Sequence, residues 1–306
     1  MKLVVGAGGQ IGRALLAAFA AGGISALGGT RREIDLAQPS SRWQIPGKVD
    51  QAFLFAAQTS MAACEQEPKL SARINVEALL ELAALLRARG AGLVFLSTDR
   101  VFDGSRPHRL DAEDPCPTNA YGRQKAEAEA GLKALGGTTI LRLSKVVPPD
   151  FPLFRGWLEA LARGEPITPF ADATLAPVSL GLVVEVLRRL ASVEAGAGGD
   201  ILQLSASREV TYAEAARSLA VLAGYDPALV RPTPAPPGAF LPFSTLDDTT
   251  LRAATGIAAP DPQPALETVA AAWRGGVTEG AGEPRRFRRY HQGRGSGHSL
   301  PGGKRR

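Results

Sequence analysis

The first dozen residues constrain the fold more than any other part of the chain. Leu3-Val4-Val5 is a short apolar run, Gly6-Ala7-Gly8-Gly9-Gln10-Ile11-Gly12 follows at once, and the apolar spacing then turns helical over residues 11–21. A strand, a glycine turn and a helix in immediate succession open a dinucleotide-binding βαβ unit. Glycines let the backbone approach a pyrophosphate, and the free N–H groups of the helix start face its charge. Gly6, Gly9, Gln10, Ile11 and Gly12 are therefore the first cofactor-binding candidates.

The alternation continues. Strand-like runs at 24–27, 51–55, 92–96 and 139–143 are separated by helical patterns at 71–89 and 121–135. Unbroken apolar strands between helices predict a parallel sheet covered on both faces, an α/β, Rossmann-type doubly wound fold. Residues 1–146 form the expected cofactor domain. From Val147 the rhythm loosens around Pro148, Pro149 and Pro152. Helical patterns at 153–163, 180–190, 212–222 and 266–273, a strand-like run at 201–204 and a proline-rich stretch at 232–242 make up the rest. Residues 147–275 read as a smaller C-terminal substrate-binding domain whose segments partly return to the sheet.

Charge and cysteine content narrow the class. The chain of 306 residues is 45% apolar, enough for a sizeable core. No apolar run reaches the length of a membrane span, and the N-terminus lacks the pattern of a signal peptide. Cys64 and Cys116 stand alone, as reduced thiols do in a cytoplasmic protein, and no metal site is expected. The net charge of +5 is uneven: residues 280–306 hold eight Lys/Arg against one acid, Glu283. That stretch, rich in glycine and arginine, leaves the remainder slightly acidic. Residues 276–306 read as a basic disordered tail. RNA binding through this tail is the lesser alternative to a solvated appendage.

The end of the second strand selects the cofactor. An NAD site places an acid there for the ribose 2′-hydroxyl. Here the sequence runs Leu27-Gly28-Gly29-Thr30-Arg31-Arg32, with no acid before Glu33. Two guanidinium groups suit a 2′-phosphate, so Arg31 and Arg32 point to NADPH, with NADH as second choice. Farther on, the fourth strand leads into Ser97-Thr98-Asp99, at the sheet edge where ligands bind. Tyr121 and Lys125 lie four apart on one face of a helix. A phenol donates poorly at neutral pH, and a nearby cation should lower its pKa. Thr98 can then share a carbonyl oxygen with the Tyr121 proton. Thr98, Tyr121 and Lys125 are the catalytic candidates.

These residues resemble the extended short-chain dehydrogenases, and among them the dTDP-4-dehydrorhamnose reductase family, over most of residues 1–275. Gly9-Gln10-Ile11-Gly12 resembles that family's glycine loop, and Asp35-Leu36 its adenine-side pair. Ala56-Ala57-Gln58-Thr59, followed by Cys64-Glu65-Gln66-Glu67-Pro68, resembles its cofactor-lining segment. Ser97-Thr98-Asp99-Arg100-Val101-Phe102-Asp103-Gly104 carries the most specific likeness. Leu141-Arg142-Leu143-Ser144, and Phe170-Ala171-Asp172 with Pro177, echo two further motifs. The resemblance implies an NADP(H)-dependent reductase acting on a keto group of a nucleotide-linked sugar. It implies that Asp35, Leu36, Ala56, Ala57, Thr59 and Leu96 line the cofactor, together with Tyr121 and Lys125. Thr98, Asp99, Arg100 and Lys145 would face the substrate.

The departures fall on the substrate side. Arg100 replaces a tyrosine of the family, Lys145 a tryptophan, Ala62 an aspartate, and Ala173 and Val178 a glutamine and a threonine. The reaction class thus carries over better than the substrate, and the two new cations favour a more anionic or differently shaped ligand. Three alternatives remain open: a sugar-nucleotide epimerase or dehydratase, a non-catalytic NADP-binding regulatory subunit of the same fold, like the methionine adenosyltransferase β subunit, and the nucleic-acid role of the tail. A nucleotide-sugar partner and assembly as a homodimer are expected, with no membrane partner.

Overall fold

The computed structural model describes residues 1–192 and 200–279. The chain opens with β1 (Lys2–Val5), α1 (Gln10–Ala21), β2 (Ala26–Gly29) and β3 (Gln51–Leu54). Short helices α2 (Met61–Gln66) and α3 (Pro68–Ala72) lead through a π-helical turn, Arg73–Ala78, into α4 (Leu79–Arg87). Then come β4 (Gly92–Thr98), α5 (Ala120–Leu135) and β5 (Thr138–Leu143). The C-terminal half holds β6 (Lys145–Val147), α6 (Pro152–Ala162), β7 (Thr174–Leu175), β8 (Pro177–Ser179) and α7 (Leu180–Leu190). It closes with β9 (Ile201–Leu204), β10 (Val210–Thr211), α8 (Tyr212–Ala223), α9 (Thr249–Thr255) and α10 (Gln263–Glu279).

Six strands form one sheet in the order β2-β1-β3-β4-β5-β9, and every pairing is parallel. The chain leaves β1 to one side for β2 and crosses to the other for β3. That reversal opens a crevice at the C-terminal ends of β1 and β3. Alternate residues of each strand serve opposite faces. Leu3, Val5, Ala52, Leu54, Leu93 and Phe95 pack under α4 and α5 with Leu79, Leu82, Leu86 and Leu132. Val4, Phe53, Val94, Leu141 and Leu202 pack on the other face with Leu15 and Phe19 of α1 and Val183, Val186 and Leu187 of α7. A separate core joins Phe154 and Leu158 of α6, Leu219 of α8 and Leu266 and Val269 of α10. No helix among the described residues is long and apolar enough to cross a membrane.

Several boundaries differ from the sequence reading. The second strand lies at Ala26–Gly29, two residues later than its apolar run, because Gly28 and Gly29 pair with Val4 and Val5. A Cβ at Gly28 would sit 2.8 Å from Ala7 Cβ and 2.9 Å from Leu16 Cδ1, so the strand thins to glycine where α1 leans over it. The helix expected at 71–89 starts earlier and is interrupted by the π-helical turn. Its Asn75 side chain turns inward, accepting from the Gln58 N–H at 2.7 Å and donating to the Gln58 carbonyl at 3.0 Å and to Gln124 Oε1 at 2.8 Å. The last helix runs to Glu279, beyond the expected boundary at 275. The remainder of the expected tail lies outside the described residues.

Candidate active site

The glycine loop closes as its sequence requires. Gly6 has φ +89°, and a Cβ there would lie 2.7 Å from the Ala56 backbone nitrogen. A Cβ on Gly12 would lie 2.5 Å from the Gly6 carbonyl oxygen. Both clashes are with backbone, which cannot give way. No side chain caps the start of α1 at Gly9, so its N–H groups remain available to an anion. Beside the loop runs a cleft of about 830 Å³, lined by Gly6, Gly9, Gln10, Ile11 and Gly12, by Arg31 and Arg32, by Ala56, Ala57 and Thr59, and by Leu96, Thr98, Tyr121 and Lys125.

At the far end of the cleft, the turn after β2 is tied by Glu33. Its carboxylate accepts from the Thr30 N–H at 2.9 Å and from the Thr30 hydroxyl at 2.5 Å, and these bonds hold it below the usual carboxylate range. The acid that follows the glycines is therefore spent on its own turn. Arg31 and Arg32 are exposed beside it, and neither has an ion pair among the described residues. The cradle fits a dinucleotide carrying an extra phosphate.

At the near end, the first turns of α5 carry the catalytic candidates. Asn119 caps the helix by accepting from the Gly122 N–H at 2.8 Å, and Glu65 accepts from the Ala120 N–H. Gly122 lets α5 press on the strand end: a Cβ there would meet the Arg100 carbonyl oxygen at 2.1 Å. Tyr121 and Lys125 both face the cleft. The Lys125 ammonium is buried, donates to the Leu96 carbonyl and lies 3.9 Å from the centre of the Phe95 ring. Burial pushes it down to about 7, with Glu129 acting the other way.

Tyr121 corrects one expectation. Its phenol is pushed up to about 12 by burial first, then by the charges of Asp99 and Cys64, with Arg100 opposing. Lys125 does not lower it, because burial brings its own pKa down to about 7 and it has lost its charge before the phenol titrates. The phenol thus keeps its proton at neutral pH. The Thr98 hydroxyl donates to Asp99 Oδ1 at 2.9 Å and accepts from the Arg100 N–H at 3.2 Å. The Asp99 carboxyl is raised by burial, against the pull of Arg100 and Thr98.

Other candidates sit apart from the cleft. Leu36 is buried in the core under α4, and Asp35 accepts from the Ala37 N–H at 3.0 Å while its carbonyl takes the Trp43 indole N–H at 2.7 Å. Both brace the loop beneath the arginines. Asp99, Arg100 and Lys145 are not among the residues that line the cleft. The sequence reading did not assign Gly8, Thr30, Ile34, Phe55, Ser97, Leu143, Ser144 or Val146 to the site, and all eight line the cleft. Most lie at or just after a strand end already singled out, and that position was the available signal. Ser97 Oγ is buried without a hydrogen-bond partner. In the lining of the cleft, that hydroxyl is available to a polar ligand atom.

Comparison with known proteins agrees with this geometry. A dTDP-4-dehydrorhamnose reductase from Mycolicibacterium smegmatis is 30% identical over 236 residues, covering 75% of this chain and 71% of that protein. The methionine adenosyltransferase 2 subunit beta of Bos taurus is 32% identical over 151 residues, 46% of this chain and 45% of that one. In structure, the dTDP-4-dehydrorhamnose reductase of Bacillus anthracis in complex with NADP superposes with a TM-score of 0.77 at 22% identity, covering 87% of this chain and 95% of that one. That likeness establishes the Rossmann-type fold. Residues 1–274 match the sequence pattern described as RmlD substrate binding domain. The chain belongs to the RmlD substrate binding domain family.

Proposed function

We propose that this protein is an NADPH-dependent oxidoreductase that reduces a keto group on a nucleotide-linked sugar. One observation carries the reading: Thr98, Tyr121 and Lys125 converge on the mouth of the glycine-loop cleft. Membership of the family, and a relative named dTDP-4-dehydrorhamnose reductase that aligns over most of its length, support it. We place the reaction in the cytoplasm, the setting of the NADPH pool.

NADPH, when bound, supplies the hydride. Gly6, Gly12 and the start of α1 would hold its pyrophosphate, Arg31 and Arg32 its 2′-phosphate, and Lys125 with Ser97 its nicotinamide end. As negative charge develops on the substrate oxygen, the Tyr121 hydroxyl gives up its proton there. The Thr98 hydroxyl turns from Asp99 to donate to the same oxygen. A proton donor and a fixed dipole aimed at developing charge are what carbonyl reduction needs.

The reading is tested by following NADPH oxidation with a panel of keto-sugar nucleotides, dTDP-4-dehydrorhamnose included. Oxidation should depend on the sugar. Tight NADPH binding with no turnover of any keto sugar would instead favour a regulatory subunit, the second reading, to which the partial likeness to the methionine adenosyltransferase subunit points. A separate expectation concerns cofactor choice. Arg31→Ala/Arg32→Ala should weaken NADPH binding roughly 10- to 100-fold, by loss of charge-assisted hydrogen bonds, and leave NADH binding nearly unchanged. Calorimetric titration of both cofactors checks it, and equal affinities in the wild type would reject the assignment.

A further inference from the structure

On the reading that the protein reduces a keto-sugar nucleotide, we propose that Arg100 and Lys145 form an anion-binding wall for a carboxylate on the substrate sugar, carried on the carbon next to the reacting keto group.

The sheet itself brings the pair together. Parallel pairing sets Thr98 of β4 against Leu143 of β5. Arg100 and Lys145 each follow two residues later, so they leave adjacent strand ends side by side. Neither lines the cofactor cleft, where Arg31 and Arg32 already supply the positive charge. The anion they serve is therefore not the cofactor's.

Their charges are incompletely met within the protein. Arg100 Nε lies 3.9 Å from Asp99 Oδ1, too long for a hydrogen bond. Lys145 Nζ lies 4.8 Å from the centre of the Phe151 ring and has no ion pair among the described residues. The one acid between them, Asp99, is buried, takes the Thr98 hydroxyl and is shifted toward its neutral form by that burial. Arg100 and Lys145 thus stand beside a single acid, Asp99, whose Oδ1 is already engaged by the Thr98 hydroxyl. A planar guanidinium on a half-buried stem suits a carboxylate, which it can engage through two N–H groups.

Position separates a sugar carboxylate from the diphosphate. Arg100 is two residues from Thr98, and its charge is felt by the Tyr121 phenol. On the proposed mechanism, in which Thr98 and Tyr121 meet the substrate oxygen, Arg100 is next to the reacting carbonyl. In a 4-keto hexose the diphosphate hangs from the anomeric carbon across the ring, whereas the substituent on C5 is the immediate neighbour of the carbonyl carbon. An acid at that substituent falls within reach of the pair.

The test uses the full-length protein saturated with NADP⁺ and four probes: UDP-glucose, UDP-glucuronic acid, dTDP-glucose and dTDP-glucuronic acid. In each nucleotide pair the diphosphate is constant and only the carboxylate differs. The uronate of the accepted nucleotide should bind about tenfold tighter or more, the worth of a charge-assisted hydrogen bond. Arg100→Gln/Lys145→Gln should erase that preference, and Arg100→Lys should keep part of it. NADP⁺ binding by the same variants reports that the fold survives. Equal binding of uronate and glucose by the wild type overturns the proposal. So does a double variant that weakens both sugars equally, which assigns the pair to the diphosphate. If NADP⁺ binds and none of the four probes does, the sugar-nucleotide reading itself fails, and the proposal fails with it.

Discussion

Replacing Tyr121 with phenylalanine is expected to lower kcat by about 10²–10⁴-fold while leaving NADPH affinity nearly intact. The partly buried ring remains, and only the proton donor is removed. Position and pKa both support so large an effect. The hydroxyl faces the cleft beside Thr98, and its pKa of about 12 keeps it protonated at neutral pH. The pH profile of kcat/KM adds a second signature. Lys125, lowered to about 7 by burial, is the charged group that titrates near neutrality. Its cation is present below that value and is lost as pH rises through it, so the alkaline limb should belong to Lys125 and should persist in Tyr121→Phe. Full activity of Tyr121→Phe on a confirmed substrate would remove the proton-donor assignment.

The second large effect is on stability. Arg142→Met should destabilise the protein by roughly 3–5 kcal/mol, because it strands a buried carboxylate. Arg142 of β5 and Glu129 of α5 are both almost fully buried. The guanidinium donates to Glu129 at 2.7, 3.1 and 3.2 Å and to Gln203 Oε1 at 3.3 Å, and it lies 4.9 Å from the centre of the Phe102 ring. Replacing both partners, Arg142→Met/Glu129→Leu, should recover most of the loss, since no unpaired charge is then left inside. Urea unfolding of the three proteins measures this. A single variant as stable as the wild type would contradict the account. The same helix face carries Tyr121, Lys125 and Glu129 at four-residue spacing, so this anchor also holds the catalytic turn against the sheet.

Much of this was legible in the sequence, for physical reasons that differ by element. Strands buried on both faces write themselves as apolar runs, and β1, β3, β4 and β5 were readable in that way. The glycine loop was readable because Gly6 and Gly12 answer to backbone clashes that no other residue relieves. An edge strand writes a weaker signal: β2 exposes Leu27 and ends in glycine, so its register could not be placed. Arg142 sits within an apolar strand pattern, and nothing local announces that Glu129 meets it from another element. Asp35 and Leu36 fit a motif, yet the structure uses them under the arginine turn rather than in the cleft. Helical spacing places Lys125 near Tyr121 but does not reveal the burial that raises the phenol and takes the charge off the ammonium first.

The sixth strand of the sheet has a consequence for how this molecule is made and varied. β9 joins the sheet beside β5 from the C-terminal half of the chain, and α7 supplies Val183, Val186 and Leu187 to the face built on Val4 and Phe53. A ribosome releases five strands of the cofactor half well before the sixth. Until then β5 is a bare edge over an uncovered apolar face, the kind of surface that pairs with other chains. The two halves therefore mature together.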